Sequence, residues 1–526
     1  MMRSFPRARW IALSTIVALS FLSGGWLLRP APAAGGGVYR QARLFEHVVT
    51  AINQHYIDSL AEGDLYQEAA AALVKSLGDP YAELLINESY REYRRQMTGT
   101  EVDFDLEHGP TESAYGLTSS LGFGPGDEVL SIDGRSTAGW STRKIEAALR
   151  EGRGATVTVV VRPRGAAQPV VRRLTRTDVH VPAASPGVLL DGRVGYVVLR
   201  RMSEGAGTEL RTAVDSLVSR GMRSLVLDLR SNPGGLIREG VEVAGLFLRH
   251  GDTVATSVGR TRRSVKTYLA DDPGEWDDLR VVVLVNRGTA SSAELIAGAL
   301  QDHDRAVVVG TSTYGKGVLQ TTYPLGDEVA IKLTTARWFT PSGRSVQRQP
   351  VAEVGGQGNR TPALTPEVRR TAAGRPVPDA SGILPDLTVR ASLRSEGERI
   401  MSRALGEELD RFRGAIAAYA ADLRSRREVT DESFQVTPAM RDSLYQRLDD
   451  DRLVLERASY DSAATWVSEQ LGNEIARELF GTESVVRRQA KADRQLQAAL
   501  RLLRTGGTQQ DVLTSAIAGQ ASGRIR

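Results

Sequence analysis

The chain places two adjacent serines, Ser291 and Ser292, just after the apolar run "VVVLV", and a lysine, Lys316, within the segment "TSTYGKGVLQ". A serine hydroxyl attacks a carbonyl only when a neighbouring group takes its proton, and a lysine serves as that base only as a neutral amine. An ordinary lysine is charged, with a pKa of about 10.4, so a basic Lys316 requires a dry pocket that lowers it by roughly two or three units. Gly315 and Gly317 on either side allow close backbone packing around it. The developing oxyanion also needs donors. Gly234 and Gly235 of "SNPGG" permit exposed backbone N–H groups, and the Ser292 N–H sits where a helix begins. Gln320, on the strand-like "VLQTTY", falls on the same face as Lys316 and can orient its amine.

Such residues meet only if the elements between them bring them together. "SLVLDLR", "RVVVLVN" and "RAVVVG" read as strands, and the segments between them, such as "REGVEVAGLFLRHG" and "SAELIAGALQD", repeat apolar residues at helical spacing. Alternating strands and helices imply an α/β core with parallel pairs. Parallel strands all release their following loops at one carboxyl edge, where ligands of such sheets bind. "SNPGG", "NRGTASS" and "TSTYGKG" therefore crowd at one rim if their strands are neighbours. The single helix between the last two makes a compact crossover that lets Ser291 meet Lys316.

Each residue also has a plainer reading. Ser291-x-x-Glu294 matches a helix capping box, in which the serine is only a cap. Lys316 alone is a loop cation, and "NPGG" alone a turn. Gly310 to Lys316 fits the start of a phosphate-binding loop, but Gly317 stands where Ser or Thr must hold magnesium, and the β-like "VLQTTYPL" follows where a helix belongs. A triad through His303 fails on distance, because the helix begun by Ser291 carries it about 15 Å away at 1.5 Å per residue. No Gly-x-Ser-x-Gly elbow surrounds either serine.

At 526 residues the chain holds several domains. Its 67 basic and 63 acidic residues nearly balance, a net +4, which does not favour nucleic acid as a partner. With no cysteine, disulfides, zinc thiolate sites, cysteine nucleophiles and a lipoprotein anchor are all excluded, and no metal or cofactor is called for. Arg3, Arg7 and Arg9 precede an uncharged apolar segment at 10–28 and then Ala31-Pro32-Ala33, so residues 1–34 read as a signal peptide or membrane anchor. Residues 39–97 read as an N-terminal helical region, broken at Gly78-Asp79-Pro80. Residues 98–165 read as a small β-rich module, 166–390 as the α/β core, and 391–526 as a C-terminal helical region. The run "TPALTPEVRRTAAGRPVPDASG" reads as a loop at a boundary.

These motifs together resemble the carboxyl-terminal processing, or tail-specific, proteases, which are exported serine peptidases with a serine/lysine dyad. The resemblance is carried by "LVLDLRSNPGG", "VNRGTASSAELIAGALQD", "GTSTYGKGVLQTTYPL", "ARWFTPSGRSVQ" and "GILPDLTV", from about Phe45 to Val389, and leaves the C-terminal helices outside. It implies Ser291 as nucleophile, Lys316 as general base and Gln320 as the assisting glutamine. The oxyanion donors are then the Ser292 N–H and a glycine N–H of Gly234-Gly235, and Asp302 matches a position that supports the site. Family members often read Gly-Gly-Ser-Ala-Ser-Ala-Ser-Glu where this chain has Arg287 to Glu294, so Ser292 adds a second hydroxyl beside the nucleophile.

The β module resembles a PDZ domain through "FGPGDEVLSIDGRSTAGWSTRKIEAALREGRGATVTVVVRP", but its front is short. "TEVDFDLEHGPTESAYGLTSSL" is brief for the glycine loop, carboxylate-binding strand and second strand, which weakens capture of protein tails by strand addition. The resemblance implies an endopeptidase of the periplasm or cell envelope, with an anchor to the inner membrane if 10–28 is retained. Its substrates are proteins with accessible C-terminal tails, and its terminal helices offer surfaces for self-association. Two alternatives stand beside it: a non-catalytic envelope scaffold that binds protein tails, and an acyl-group enzyme of another type on a similar core.

Overall fold

The computed structural model describes residues 35–105, 127–140, 142–150, 156–163, 166–191, 193–271, 276, 278–348, 368–379, 382–392, 395–450, 453, 455–504 and 507–522. Residues 1–34, read as a signal peptide or membrane anchor, lie outside these residues, as does most of the module's front, including Leu121 to Gly124. Among the described residues no helix is long and apolar enough to cross a membrane.

The chain divides into two compact units at Leu84. In the first, the helices Gly35–His55 and Glu62–Lys75 follow the expected periodicity, and Phe45 and Tyr66 meet at 6.0 Å between ring centroids.

Within the second unit, six strands form the core sheet, in the order Leu387–Thr388, Val307–Gly310, Arg280–Val285, Ser224–Asp228, Val194–Val198 and Val188–Leu190. The first five run parallel, and only Val188–Leu190 is antiparallel to its neighbour. The uninterrupted apolar runs follow from burial of both faces. Leu225, Leu227, Val281 and Val283 pack with Leu210, Val243, Ile296 and Leu300 of the crossover helices. Val226, Val282 and Leu284, one residue out of phase, pack with Leu496, Leu500 and Leu513 of the C-terminal helices. Each such buried side chain stabilises the fold by about 1.5–3 kcal/mol relative to exposure.

The β module is a five-stranded antiparallel sheet in the order Thr100–Asp105, Val170–His180, Thr156–Arg162, Glu128–Ile132 and Arg135–Ser136. The Asp133-Gly134 turn that joins its last two strands has positive φ at both residues, as a tight hairpin requires. Val157, Val159 and Val161 alternate inward against Leu149 of the helix Thr142–Arg150. The sheet does not end near 165 as expected. The strand Val170–His180 pairs on both sides within it, so the module continues to His180, and the Pro- and Gly-bearing stretch between Arg162 and Val170 joins two strands of one sheet instead of ending it.

Two further regions depart from the expectations. The described part of the Pro- and Gly-rich run is an antiparallel hairpin, Val368–Arg370 with Pro376–Pro378, fastened by Arg375 to Asp304 and Asp386 at 2.6 and 2.7 Å. The C-terminal region is two packings, not one. The helices Glu396–Leu405, Leu409–Arg426, Pro438–Asp450, Arg457–Ser462 and Ala464–Phe480 share their own core of Phe412, Ile416, Leu444, Val467 and Leu471. The helices Thr482–Ala492, Arg494–Arg504 and Gln509–Ser522 supply side chains to the second face of the core sheet.

Candidate active site

The strands Ser224–Asp228, Arg280–Val285 and Val307–Gly310 are adjacent and parallel, so their following loops emerge together at the carboxyl rim. Side-chain amides stitch the first two loops. Asn286 Oδ1 accepts from the N–H of Ser231 and of Gly288, at 2.8 and 2.9 Å. Asn232 Nδ2 donates to the Leu199 carbonyl at 2.7 Å, while the Asn232 backbone carbonyl accepts from Ala290 N–H at 2.9 Å. The buried Thr289 hydroxyl donates to the Leu229 carbonyl.

Ser291 stands at the turn into the helix Ser292–Asp302 with φ 55° and ψ −120°. For a residue with a Cβ this conformation costs on the order of 1–3 kcal/mol and must be held by its surroundings. Glu294 is one of the groups that hold it. Its fully buried carboxylate accepts from Ser291 N–H at 2.9 Å, which is the backward arm of the expected capping box. The same oxygen, Oε2, accepts from Lys316 N–H at 2.8 Å. Oε1 accepts from Gly315 N–H at 2.7 Å and from the Thr313 hydroxyl at 2.5 Å. Burial pushes the Glu294 carboxyl up from its usual range, and the four donors pull it partly back. Thr313 is fixed in turn, since its hydroxyl accepts from Ile383 N–H at 2.7 Å.

One carboxylate thus ties the serine turn to the lysine loop. The Lys316 side chain is partly buried, and its Nζ donates to Gln320 Oε1 at 2.8 Å. Lys316 is followed directly by the strand Val318–Pro324 rather than a helix, in agreement with the reading against a nucleotide loop. Arg348 N–H bonds the Gly315 carbonyl and Gln347 Oε1 accepts from Gly317 N–H, so the lysine loop is clasped from its other side.

Of the two serines, Ser291 retains 8% exposure while Ser292 has none, so only Ser291 is reachable. Among the described residues the Ser292 hydroxyl has no hydrogen-bond partner, and Ser292 packs against the helix Ile237–Gly245 at Gly240. Gly234, with φ 88°, brings its backbone so near that an added Cβ would lie 2.7 Å from the Ala290 carbonyl and 3.0 Å from Ser292 N. Its own N–H, expected among the oxyanion donors, is instead taken by Asn232 Oδ1 at 2.9 Å. The Asn-Pro-Gly turn folds the asparagine side chain back onto its own backbone. Of the two expected glycine donors, Gly235 N–H is then the candidate that Asn232 does not take.

Asp302 is not at this site. It lies at the opposite end of the helix from Ser291, paired at 2.5 Å with the buried Arg344 and accepting from Ser342 N–H at 3.0 Å. Its support is to the fold of the 339–345 turn. His303 shares that far end, with Nε2 2.8 Å from the Thr253 carbonyl, so no triad forms through it. Asn232, Asn286, Thr289 and Thr313 carry no signal of this role in the sequence, and Glu294 reads there only as a cap. The pattern Ser-x-x-Glu was the one available signal, and it shows a bond to the cap but not to a loop beyond the next strand.

The family described as Peptidase family S41 matches residues 193–353, which carry all of these loops. A "Probable CtpA-like serine protease" of Staphylococcus haemolyticus is 30% identical over 58% of this chain and 63% of its own length, so the chain spans less than two thirds of that relative. A "Carboxy-terminal-processing protease" of Bartonella bacilliformis is 30% identical over 59% of this chain and 73% of its own. Among solved structures, a photosystem II D1 C-terminal processing protease is 26% identical, over 58% of this chain and 89% of that one, with a TM-score of 0.35. Matched over the segments that carry Ser291, Lys316 and the glycine loop, and over most of the Bartonella relative, the chain belongs to peptidase family S41.

Proposed function

We propose that this chain is a serine endopeptidase of the carboxyl-terminal processing type, with Ser291 as nucleophile and Lys316 as base. The observation that carries the reading is the shared Glu294 oxygen, which fixes the Ser291 and Lys316 backbones to one point. The Lys316 to Gln320 hydrogen bond supports it, since an acceptor at Nζ aims the amine.

In the first half-reaction the Ser291 oxygen bonds to the substrate carbonyl carbon as its proton passes to neutral Lys316 Nζ. The carbonyl oxygen becomes an oxyanion between the N–H groups of Ser292 and Gly235, each such donor contributing about 3 kcal/mol to the transition state. As the tetrahedral species collapses, the C–N bond breaks and the departing amine takes the proton from Lys316. Water then adds to the ester, losing its proton to Lys316, which returns one to Ser291 as the acid leaves. No metal or cofactor takes part in these steps.

The substrates are protein tails. The antiparallel module resembles one that receives extended peptides by strand addition, and the Bartonella relative is named for carboxy-terminal processing. The basic and apolar N-terminal segment supports export to the cell envelope. Cleavage of an unstructured protein by the full chain, compared with Ser291→Ala and Lys316→Ala, tests the reading. Both variants lose cleavage if it is right, and full activity in either removes the dyad.

A further inference from the structure

Arg230 begins the glycine loop, and its guanidinium is held from two distant parts of the chain. Nε and Nη2 bond the carboxylate of Asp228, at 3.0 and 2.6 Å, at the end of the strand Ser224–Asp228. Asp228 is buried and also accepts from the Tyr196 hydroxyl at 2.7 Å. From the other side, Nη2 meets Asp493 Oδ2 at 2.7 Å and Nη1 donates to Gln495 Oε1 at 3.0 Å.

Asp493 has a second task. Its other oxygen, Oδ1, accepts from the N–H groups of Gln495 and Leu496, both at 3.0 Å, and so caps the helix Arg494–Arg504. Gln495 is fully enclosed, and its Nε2 donates to the Val389 carbonyl at 2.7 Å. The helix itself is pinned by Leu496, Leu500 and Leu503 against the sheet. A rigid element therefore presents one carboxylate oxygen and one amide oxygen to Arg230. The loop that follows has φ 58° at Ser231, 88° at Gly234 and 148° at Gly235, a path that needs restraint from outside.

Resting on the peptidase reading above, we infer that Asp493 and Gln495 are positioning residues for the oxyanion loop, acting through Arg230 on the backbone that presents the Gly235 N–H. The C-terminal helix, which lies beyond the residues matched by the family, is then a working part of the active site. An oxyanion donor is effective only at hydrogen-bond distance from where charge develops, so a small displacement lowers kcat while leaving substrate binding nearly intact.

Asp493→Asn separates the two tasks of this residue, because Asn remains a good cap but presents no carboxylate to Arg230. Gln495→Leu removes the other contact without touching the cap. Ser395→Ala serves as control: it removes the cap that accepts from Glu398 N–H on the helix Glu396–Leu405, a different packing of the same region. Steady-state kinetics of the full chain on a fluorogenic peptide, with Tm for each variant, reads the result. Asp493→Asn and Gln495→Leu are expected to lower kcat by about tenfold with KM within about twofold. Asp493→Glu should recover part of the loss, and Ser395→Ala should lower Tm with kcat unchanged. Unchanged kcat in both Asp493→Asn and Gln495→Leu overturns the inference, as does a loss of kcat that merely tracks Tm across all three variants. Ser291→Ala distinguishes the two levels. If it is inactive while Asp493→Asn matches the parent, the inference fails alone; if it cleaves like the parent, the peptidase reading fails and the inference with it.

Discussion

Ser291 and Lys316 donate their backbone N–H groups to the same oxygen of Glu294, at 2.9 and 2.8 Å. Their amide nitrogens therefore lie no further apart than those two bonds permit, although a helix and a strand separate them in sequence. On the proposed mechanism Glu294 is a positioning residue, acting through these backbones on both members of the proposed dyad.

Glu294→Gln sets an amide NH2 against donors, since all four of its contacts donate. Leaving buried donors unpaired costs about 1–3 kcal/mol each. We expect cleavage to fall by at least about 100-fold and Tm to drop, with Thr313→Val giving a milder version of both. Wild-type kcat in Glu294→Gln would refute the role.

The pH dependence carries a sign that separates activity from stability. Burial raises the Glu294 carboxyl above its ordinary 4.5, so on acidification it takes up a proton before an exposed glutamate would. The protonated form cannot accept from all four donors, and activity falls. The contribution of a raised carboxyl to folding has the opposite sense: it is fully present below the unfolded pKa and is lost as pH rises through the folded value. Cleavage rate should therefore decline on lowering pH while still above 4.5, with no parallel loss of Tm from this group. Rate and Tm measured together across that range check it; a coincident fall of both counts against it.

Gly234→Ala tests the close approach of the glycine loop to the serine turn. A Cβ there meets the Ala290 carbonyl at 2.7 Å and Ser291 Cβ at 2.9 Å, at a φ of 88° that an alanine rarely adopts. The loop must retreat from Ser292 N, and kcat should fall by about 10²-fold or more with the fold retained by circular dichroism.

Ser292→Ala should do the reverse of most active-site substitutions. The hydroxyl is buried without a partner among the described residues, and removing such a group relieves about 1 kcal/mol or more, while the Ser292 N–H is unchanged. A raised Tm with kcat near the parent is expected from denaturation and steady-state kinetics. Loss of activity would assign the hydroxyl a role that its surroundings do not show.

Asp302→Ala takes the counter-charge from the buried Arg344 and leaves its Nη2 only Gln301 Oε1 among the described residues, at a cost of about 3–5 kcal/mol. The loss should appear in Tm first and in kcat only as the protein unfolds. Adding Arg344→Met to Asp302→Ala should recover stability and activity together, which a chemical role for Asp302 at the dyad would forbid.

Much of the fold was legible because it follows from period and punctuation. "LVL" at Leu225 to Leu227 and "VVVLV" at Val281 to Val285 are apolar at consecutive positions, a pattern that fits a sheet covered on both faces, and the loops after them are set apart by Gly, Pro and Asn. The order of these strands put Ser291, Lys316 and the glycines at one rim, and Gln320 follows Lys316 on a strand as its spacing suggested. The sequence alone thus nominated the residues proposed to react.

What the tertiary structure decided is which groups face one another across distances that no local period spans. Glu294 reads as a cap in sequence, and its bond to Lys316 exists only because the neighbouring strand returns its loop to the same rim. Gly234 and Gly235 are alike on paper, and the backward fold of Asn232 onto Gly234 separates them. Asp493 reaches Arg230 across most of the core sequence because a helix packed by its leucines sets its cap there. Local pattern reports what each residue can do with its chain neighbours; long-range packing selects its partner, since hydrogen bonds and buried charges are satisfied only in the folded whole.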